Sequence, residues 1–110
     1  MTISTKKESN ALVLTVGGRM DAVTAPELEK SLSEFIVQGE KNFLINLSAL
    51  DYISSAGLRS ILACAKRLKE KDGKLVFSGL QGHVKEVFSI SGFHRIFKAY
   101  DTDAEGLKDF

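Results

Sequence analysis

The chain has 110 residues, near the commonest size of a single domain, and 44% of them are hydrophobic while 26% are charged. These values exclude a disordered chain and predict one soluble domain over residues 1–110. The 15 basic and 14 acidic residues leave a net charge of +1, so overall charge recruits neither nucleic acid nor an anionic membrane. The single cysteine, Cys64, excludes an internal disulfide and is expected to pack as a small apolar group. No signal peptide or membrane-spanning run is visible, so the protein is expected in the cytoplasm.

Two strands are predicted at the start of the chain. Residues 3–7 form a weaker strand, residues 8–10 a turn, and residues 11–16 a strand rich in branched side chains. Gly17 and Gly18 are expected to end this second strand.

A helix is predicted next. Thr24 and Glu27 have the T-x-x-E spacing of a capping box, in which the threonine hydroxyl meets a first-turn amide and the glutamate reaches back. Pro26 suits the first turn, and Gly39 is expected to end the helix. Four apolar side chains recur at helical spacing and predict one buried face: Leu28, Leu32, Phe35 and Ile36.

The middle of the chain predicts a buried strand, a polar turn and a second helix. The strand, residues 43–47, is apolar at nearly consecutive positions, as expected of a strand that is covered on both faces. The helix is predicted to begin at Ser55 and to end near Lys71, with Gly73 as the candidate cap of its C-terminus.

Strands and helices continue to alternate in the remaining sequence. Residues 75–77 predict a strand, Gly82 begins a short helix, residues 96–100 predict a last strand, and Thr102 and Glu105 repeat the capping spacing before a final helix. Two strands followed by alternating helix and strand indicate an α/β domain with a partly parallel sheet and right-handed crossovers.

Two polar loops are expected at the carboxyl ends of strands, where sites gather in α/β sheets. One carries Ser54 and Ser55, and the other runs from Gly18 to Thr24. If the two strands are neighbours, Asp21 and Ser55 share one surface. A serine at a helix start either caps the helix or accepts a phosphate, which the unpaired amides and the helix dipole favour. The local pattern by itself favours a cap.

Groups suited to catalysis are scarce. His83 and His94 lack metal-ligand spacing, Ser55 lacks the G-x-S-x-G context of a nucleophile, and the glycines form no nucleotide-binding motif. The sequence therefore predicts no enzyme activity, no metal and no cofactor.

Three motifs occur along the chain in a fixed order. They are Gly18-Arg19-Met20-Asp21 followed by Thr24-Ala25, then Ser54-Ser55-Ala56-Gly57-Leu58, then Phe88-Ser89-Ile90-Ser91-Gly92-Phe93. Together they resemble the motifs of the STAS domain (sulfate transporter and anti-sigma factor antagonist), especially of its free-standing bacterial antagonists. The resemblance covers nearly the whole chain. It implies a single STAS-type α/β domain with a mixed, mostly parallel sheet of four to five strands and about four helices.

The resemblance also implies an anti-sigma factor antagonist that is switched by phosphorylation. It places the phosphate-accepting serine at Ser55, with Ser54 as the alternative because better-known members carry Asp at that position. It further implies that Asp21, Ser54, Ser55, Gly57 and Leu58 contact the partner.

The implied partners are two enzymes. Unphosphorylated, the protein would bind an anti-sigma factor serine kinase of the histidine-kinase-like ATPase type. Phosphorylation of Ser55 would release it, and a metal-dependent serine phosphatase would restore it, so that ATP and metal belong to the partners. Two alternatives remain: a non-phosphorylated STAS module serving as a scaffold or a transport-system subunit, and a small hydrolase using Ser55, which lacks an aligned base.

Overall fold

Six strands and four α-helices alternate along residues 1–8 and 10–110, the part of the chain that the computed structural model describes. The strands are β1 (Thr2–Lys7), β2 (Leu12–Met20), β3 (Asn42–Asn46), β4 (Leu50–Ile53), β5 (Lys74–Ser78) and β6 (Ala99–Tyr100). The helices are α1 (Ala25–Val37), α2 (Ser55–Glu70), α3 (Gly82–Ser91) and α4 (Asp103–Leu107), with a 3-10 turn at Phe93–Arg95. The turn predicted at residues 8–10 includes Ser9, which lies outside the described residues.

The strands form one mixed sheet in the order β1-β2-β3-β5-β6. β1 is antiparallel to β2, and every other described pair is parallel. β2 is the longest strand and changes neighbour along its length. Residues 12–15 pair with β3, whereas residues 18–20 pair with β4, so β3 and β4 share one edge of β2.

Apolar side chains alternate between the two faces of the sheet, as the strand period requires. The larger core lies between one face and the helices α1, α2 and α3, and its fully buried members include Leu14, Phe43, Ile45 and Phe77. A smaller cluster on the opposite face is covered by the C-terminal segment and contains Val13, Leu44, Val76, Tyr100, Leu107 and Phe110. Both faces of the central strands are therefore covered, which confirms the buried strand predicted at residues 43–47.

Cys64 lies on α2, on the side that faces α1, and is 3% exposed. Burial raises the pKa of its thiol to about 12, because the thiolate is poorly solvated there. The side chain therefore stays protonated at neutral pH and packs as the small apolar group that the sequence predicts.

The second strand does not end at Gly17 and Gly18, which corrects the prediction. Gly18 has a φ of 89° and the register shifts between Gly18 and Arg19, so the glycines absorb a β-bulge and the strand continues to Met20. β4, which the sequence did not predict, pairs with this extension. Over residues 1–8 and 10–110 the sheet consequently has six strands where four to five were expected, and the domain has four α-helices as expected.

Two predicted helix caps need correction, whereas the predicted starts of α2, α3 and α4 are confirmed. The Thr24 hydroxyl makes no capping bond to α1, and Asp72 (φ 56°) rather than Gly73 adopts the left-handed conformation after α2. Position 73 requires glycine for another reason, since there is no room for a side chain: a Cβ there would lie 2.4 Å from the Lys41 carbonyl oxygen.

The predicted cap at the start of α4 is confirmed, because the Thr102 hydroxyl accepts a hydrogen bond from the Glu105 amide at 3.2 Å. The last strand is only Ala99–Tyr100 and not residues 96–100, because the amides of Ile96 and Phe97 close the 3-10 turn by donating to the Phe93 carbonyl oxygen at 3.0 and 2.9 Å.

Candidate functional site

The end of β2 and the end of β4 lie side by side, which brings the two predicted polar loops together. Met20 and Ile53 form the last register pair of these parallel strands. The Ser54 amide donates to the Met20 carbonyl oxygen at 2.9 Å, one residue beyond that pair. Asp21 therefore follows β2 at the same edge of the sheet where Ser54 and Ser55 follow β4. The sequence predicts a shared surface for Asp21 and Ser55 on the condition that these two strands are neighbours, and the structure meets that condition.

The two adjacent serines have different local roles. Ser54 is the N-cap of α2, half-buried, and its hydroxyl oxygen accepts the Gly57 amide at 3.2 Å. Ser55 is the first residue of the helix and is exposed, and its hydroxyl makes no hydrogen bond to any described residue. Ser54 thus caps the helix, and of the two serines only Ser55 presents an unengaged hydroxyl oxygen to solvent.

Gly57 and Leu58 set how closely α2 approaches the strands. A Cβ on Gly57 would lie 2.8 Å from both the Met20 carbonyl oxygen and Cγ1 of Ile53, so a side chain would push the helix away. Gly57 is itself buried, and it contributes to the surface by permitting this close approach. Leu58 is half-buried and packs against the main core, which leaves part of its side chain at the surface beside Ser55.

Asp21 holds the neighbouring loop in one conformation. One of its carboxylate oxygens accepts hydrogen bonds from the backbone amides of Val23 at 3.0 Å and Thr24 at 3.1 Å. The Thr24 hydroxyl donates a hydrogen bond to the Arg19 carbonyl oxygen at 2.7 Å and accepts one from the Asp21 amide at 2.9 Å. The Thr24 amide, more than any other group, lowers the pKa of Asp21 below its ordinary value; partial burial opposes this, and the Val23 amide adds to it. Asp21 is therefore an anion at neutral pH. Its side chain remains 30% exposed.

A stack of three planar polar side chains lies next to these loops, and no pattern in the sequence predicts it. Arg19 and Tyr52 are register partners on β2 and β4, and the Arg19 guanidinium lies 4.2 Å from the centre of the Tyr52 ring. The imidazole of His83, from the start of α3, stacks on the same tyrosine with ring centres 5.1 Å apart. Nothing in the sequence marks these three residues as neighbours, because the contacts follow from strand pairing and from the position of α3.

No group of three or more histidine, cysteine, aspartate or glutamate side chains within residues 1–8 and 10–110 is arranged to hold a metal ion. In the same ranges, no helix combines the length and the apolar character needed to cross a membrane.

Comparison with known proteins identifies the family. A model of the STAS domain matches residues 2–106, nearly the entire chain and both polar loops. The chain belongs to the STAS family. The STAS domain accounts for the order of the three sequence motifs, and the fold predicted from them is confirmed.

Two relatives and one solved structure illustrate the similarity of this STAS domain to others. BtrV of Bordetella bronchiseptica, assigned as an anti-sigma factor antagonist, is 41% identical over 97 residues, which cover 88% of this chain and 84% of the relative. The anti-sigma-B factor antagonist of Staphylococcus aureus is 29% identical over 92 residues, covering 84% and 85% of the two chains. The crystal structure of a Thermotoga maritima protein assigned as an anti-sigma factor antagonist has a TM-score of 0.90 at 23% identity, and the match covers 97% of this chain and 92% of the other.

Proposed function

We propose that this STAS domain is an anti-sigma factor antagonist switched by phosphorylation of Ser55. Unphosphorylated, it binds an anti-sigma factor serine kinase of the histidine-kinase-like ATPase type through the surface formed by Asp21, Ser54, Ser55, Gly57 and Leu58. Phosphorylation releases it, and a metal-dependent serine phosphatase restores the binding form. The names of the two relatives support the antagonist role, and the adjacent carboxyl ends of β2 and β4 support the choice of this surface.

The observation that carries the choice of Ser55 is the hydrogen bonding of the two serines. The Ser54 hydroxyl is engaged by the Gly57 amide, whereas the Ser55 hydroxyl is exposed and unengaged among the described residues. A kinase can therefore reach the Ser55 oxygen without opening the start of α2. In the transfer, the Ser55 oxygen bonds to the γ-phosphorus of ATP, the bond from that phosphorus to ADP breaks, and the serine proton passes to a base of the kinase.

Phosphate on Ser55 acts at the docking surface and leaves the fold intact. It adds about −1.5 to −2 charges at neutral pH, and the amides and dipole at the start of α2 tolerate that charge. A partner packed over Ser55 and Leu58 would instead have to bury a phosphate for which the partner offers no matching charge, with the Asp21 carboxylate on the adjoining loop. Burial of that kind costs several kcal/mol, and about 1.4 kcal/mol is already a tenfold change in affinity.

Phosphorylation by the partner kinase tests the function directly. The protein is incubated with ATP, Mg²⁺ and the histidine-kinase-like serine kinase of its own organism, and the phosphate is located by mass spectrometry. Stoichiometric phosphate on Ser55, with loss of the complex in size-exclusion chromatography, is the expected result. A kinase that binds the protein but transfers no phosphate would instead indicate a scaffold, and the proposed switch would be wrong.

Replacing Asp21 by asparagine is expected to separate recognition from support of the loop. Asparagine keeps an oxygen that can accept the Val23 and Thr24 amides, so the midpoint of urea unfolding should be nearly unchanged. Loss of the charge should slow phosphorylation of Ser55 by about tenfold or more, because a charged hydrogen bond to the kinase is lost. Asp21→Ala, which removes the acceptor as well, is the control that should also lower the midpoint. Normal phosphorylation kinetics with a lowered midpoint in Asp21→Asn would limit Asp21 to a structural role.

A further inference from the structure

Two arginines lie on the elements that meet at the start of α2, one on β2 and one on α2 itself. Arg19 lies on β2, whose end adjoins the end of β4, and Ser55 is three residues beyond its register partner Tyr52. Arg59 lies on α2, four residues after Ser55 and therefore on the same side of the helix. Both arginines are exposed.

Arg19 is positioned but only weakly engaged. Its side chain is 64% exposed, and the Tyr52 ring supports the guanidinium at 4.2 Å, so little freedom remains to be lost when it binds an anion. Its nearest carboxylate among the described residues is Asp21, with Nε and Oδ2 3.9 Å apart, which is longer than a hydrogen bond. The N–H groups of the guanidinium therefore remain largely available.

Arg59 reaches Ser55 by helix geometry. Side chains on a helix lean toward its N-terminus, so a residue at position i+4 extends back over residue i. Arg59 takes part in none of the ion pairs of the described residues. A phosphate on Ser55 would thus have one cation on the strand side and one on the helix side.

We propose that Arg19 and Arg59 form a two-sided clamp that binds the phosphate of phosphorylated Ser55. This inference rests on Ser55 being the acceptor, and it adds how the modified state is held. Arginine suits the role because its planar group donates two parallel hydrogen bonds to phosphate oxygens. The clamp gives phosphorylation two effects on the docking surface: a phosphate occupies it, and two exposed cations are withdrawn from it.

The second ionisation of the phosphoserine reports the clamp without any kinase. Phosphoserine is placed at position 55 during translation, and its pKa, about 6 in the absence of interactions, is measured by phosphorus NMR titration. The Asp21 carboxylate and the His83 imidazole, which also lie at this surface, are left in place in every variant. Arg19→Gln combined with Arg59→Gln should raise the phosphate pKa by about 0.5 to 1, and each single substitution should give part of that rise.

The matched control removes two cations farther along the same helix. Lys66 and Lys69 are exposed on α2, and they lie 11 and 14 residues from Ser55, about 16 and 21 Å at 1.5 Å per residue. That distance exceeds the screening length of about 8 Å at physiological salt, so Lys66→Gln combined with Lys69→Gln should leave the phosphate pKa unchanged. Circular dichroism verifies that all variants are folded, as expected for exposed positions.

The outcomes separate the clamp from the proposed function. A double arginine variant with the same phosphate pKa as the double lysine control would overturn the clamp. A rise in only one of the two single variants would also contradict it, since one arginine would then hold the phosphate alone. Failure of the kinase to phosphorylate Ser55 would count against the proposed function, while the titration of the inserted phosphoserine would still decide the clamp.

Discussion

Replacing Ser55 by alanine is expected to abolish phosphate transfer from the partner kinase, whereas replacing Ser54 should leave transfer largely intact. The physical reason lies in the start of α2: the Ser54 hydroxyl is held by the Gly57 amide at 3.2 Å, and the Ser55 hydroxyl is free and exposed. Radiolabelled ATP and mass spectrometry of the product measure both effects. Ser54→Ala serves as the matched control, because it removes the adjacent hydroxyl from the same loop.

The stabilities of the two variants should show the opposite order. Ser54→Ala removes the N-cap of α2 and should lower the free energy of unfolding by about 1 kcal/mol, as measured by urea denaturation. Ser55→Ala removes no hydrogen bond among the described residues and should unfold like the original protein. Full labelling of Ser55→Ala would move the acceptor to Ser54, and the division of roles between the two serines would be wrong.

Replacing Ser55 by aspartate is expected to weaken binding to the kinase by about tenfold or more. A carboxylate at the first position of α2 suits the helix dipole, so far-UV circular dichroism and melting temperature should be nearly unchanged. The loss should arise at the interface, where an anion next to Asp21 and Leu58 would be buried against a partner that offers it no matching charge. Isothermal titration calorimetry of the two purified proteins measures the affinity. The effect should be smaller than that of phosphorylation, because a carboxylate carries one charge.

The control for this experiment places the same substitution elsewhere on the surface. Ser89 is exposed in the C-terminal half of α3, and Ser89→Asp changes the net charge equally without altering the proposed docking surface. Its affinity for the kinase should match that of the original protein. Undiminished binding of Ser55→Asp would rule out exclusion by charge as the basis of the switch.

Local patterns in the sequence were sufficient for the long elements and for the family motifs. α1 and α2 have periodic apolar positions over more than three turns, and the three central residues of strand β3 are all apolar, so their type follows from neighbours along the chain. β4 was missed because it has four residues and pairs only after β2 has passed a glycine bulge. Its existence depends on a partner 30 or more residues away, and no local period reports that.

The sequence by itself determined the α/β class, the STAS motifs, and the presence of two adjacent serines and an aspartate in polar loops. Only the tertiary structure decided which of these groups meet and which are free. The extension of β2 to Met20 makes it the neighbour of β4, and this pairing places Asp21 beside the start of α2 and Arg19 over Tyr52. The cap geometry of α2 then engages Ser54 and leaves Ser55 exposed. Such outcomes require tertiary structure because strand register and helix capping depend on hydrogen bonds between backbone segments, and similar side chains in the same loop become distinct only when those bonds form.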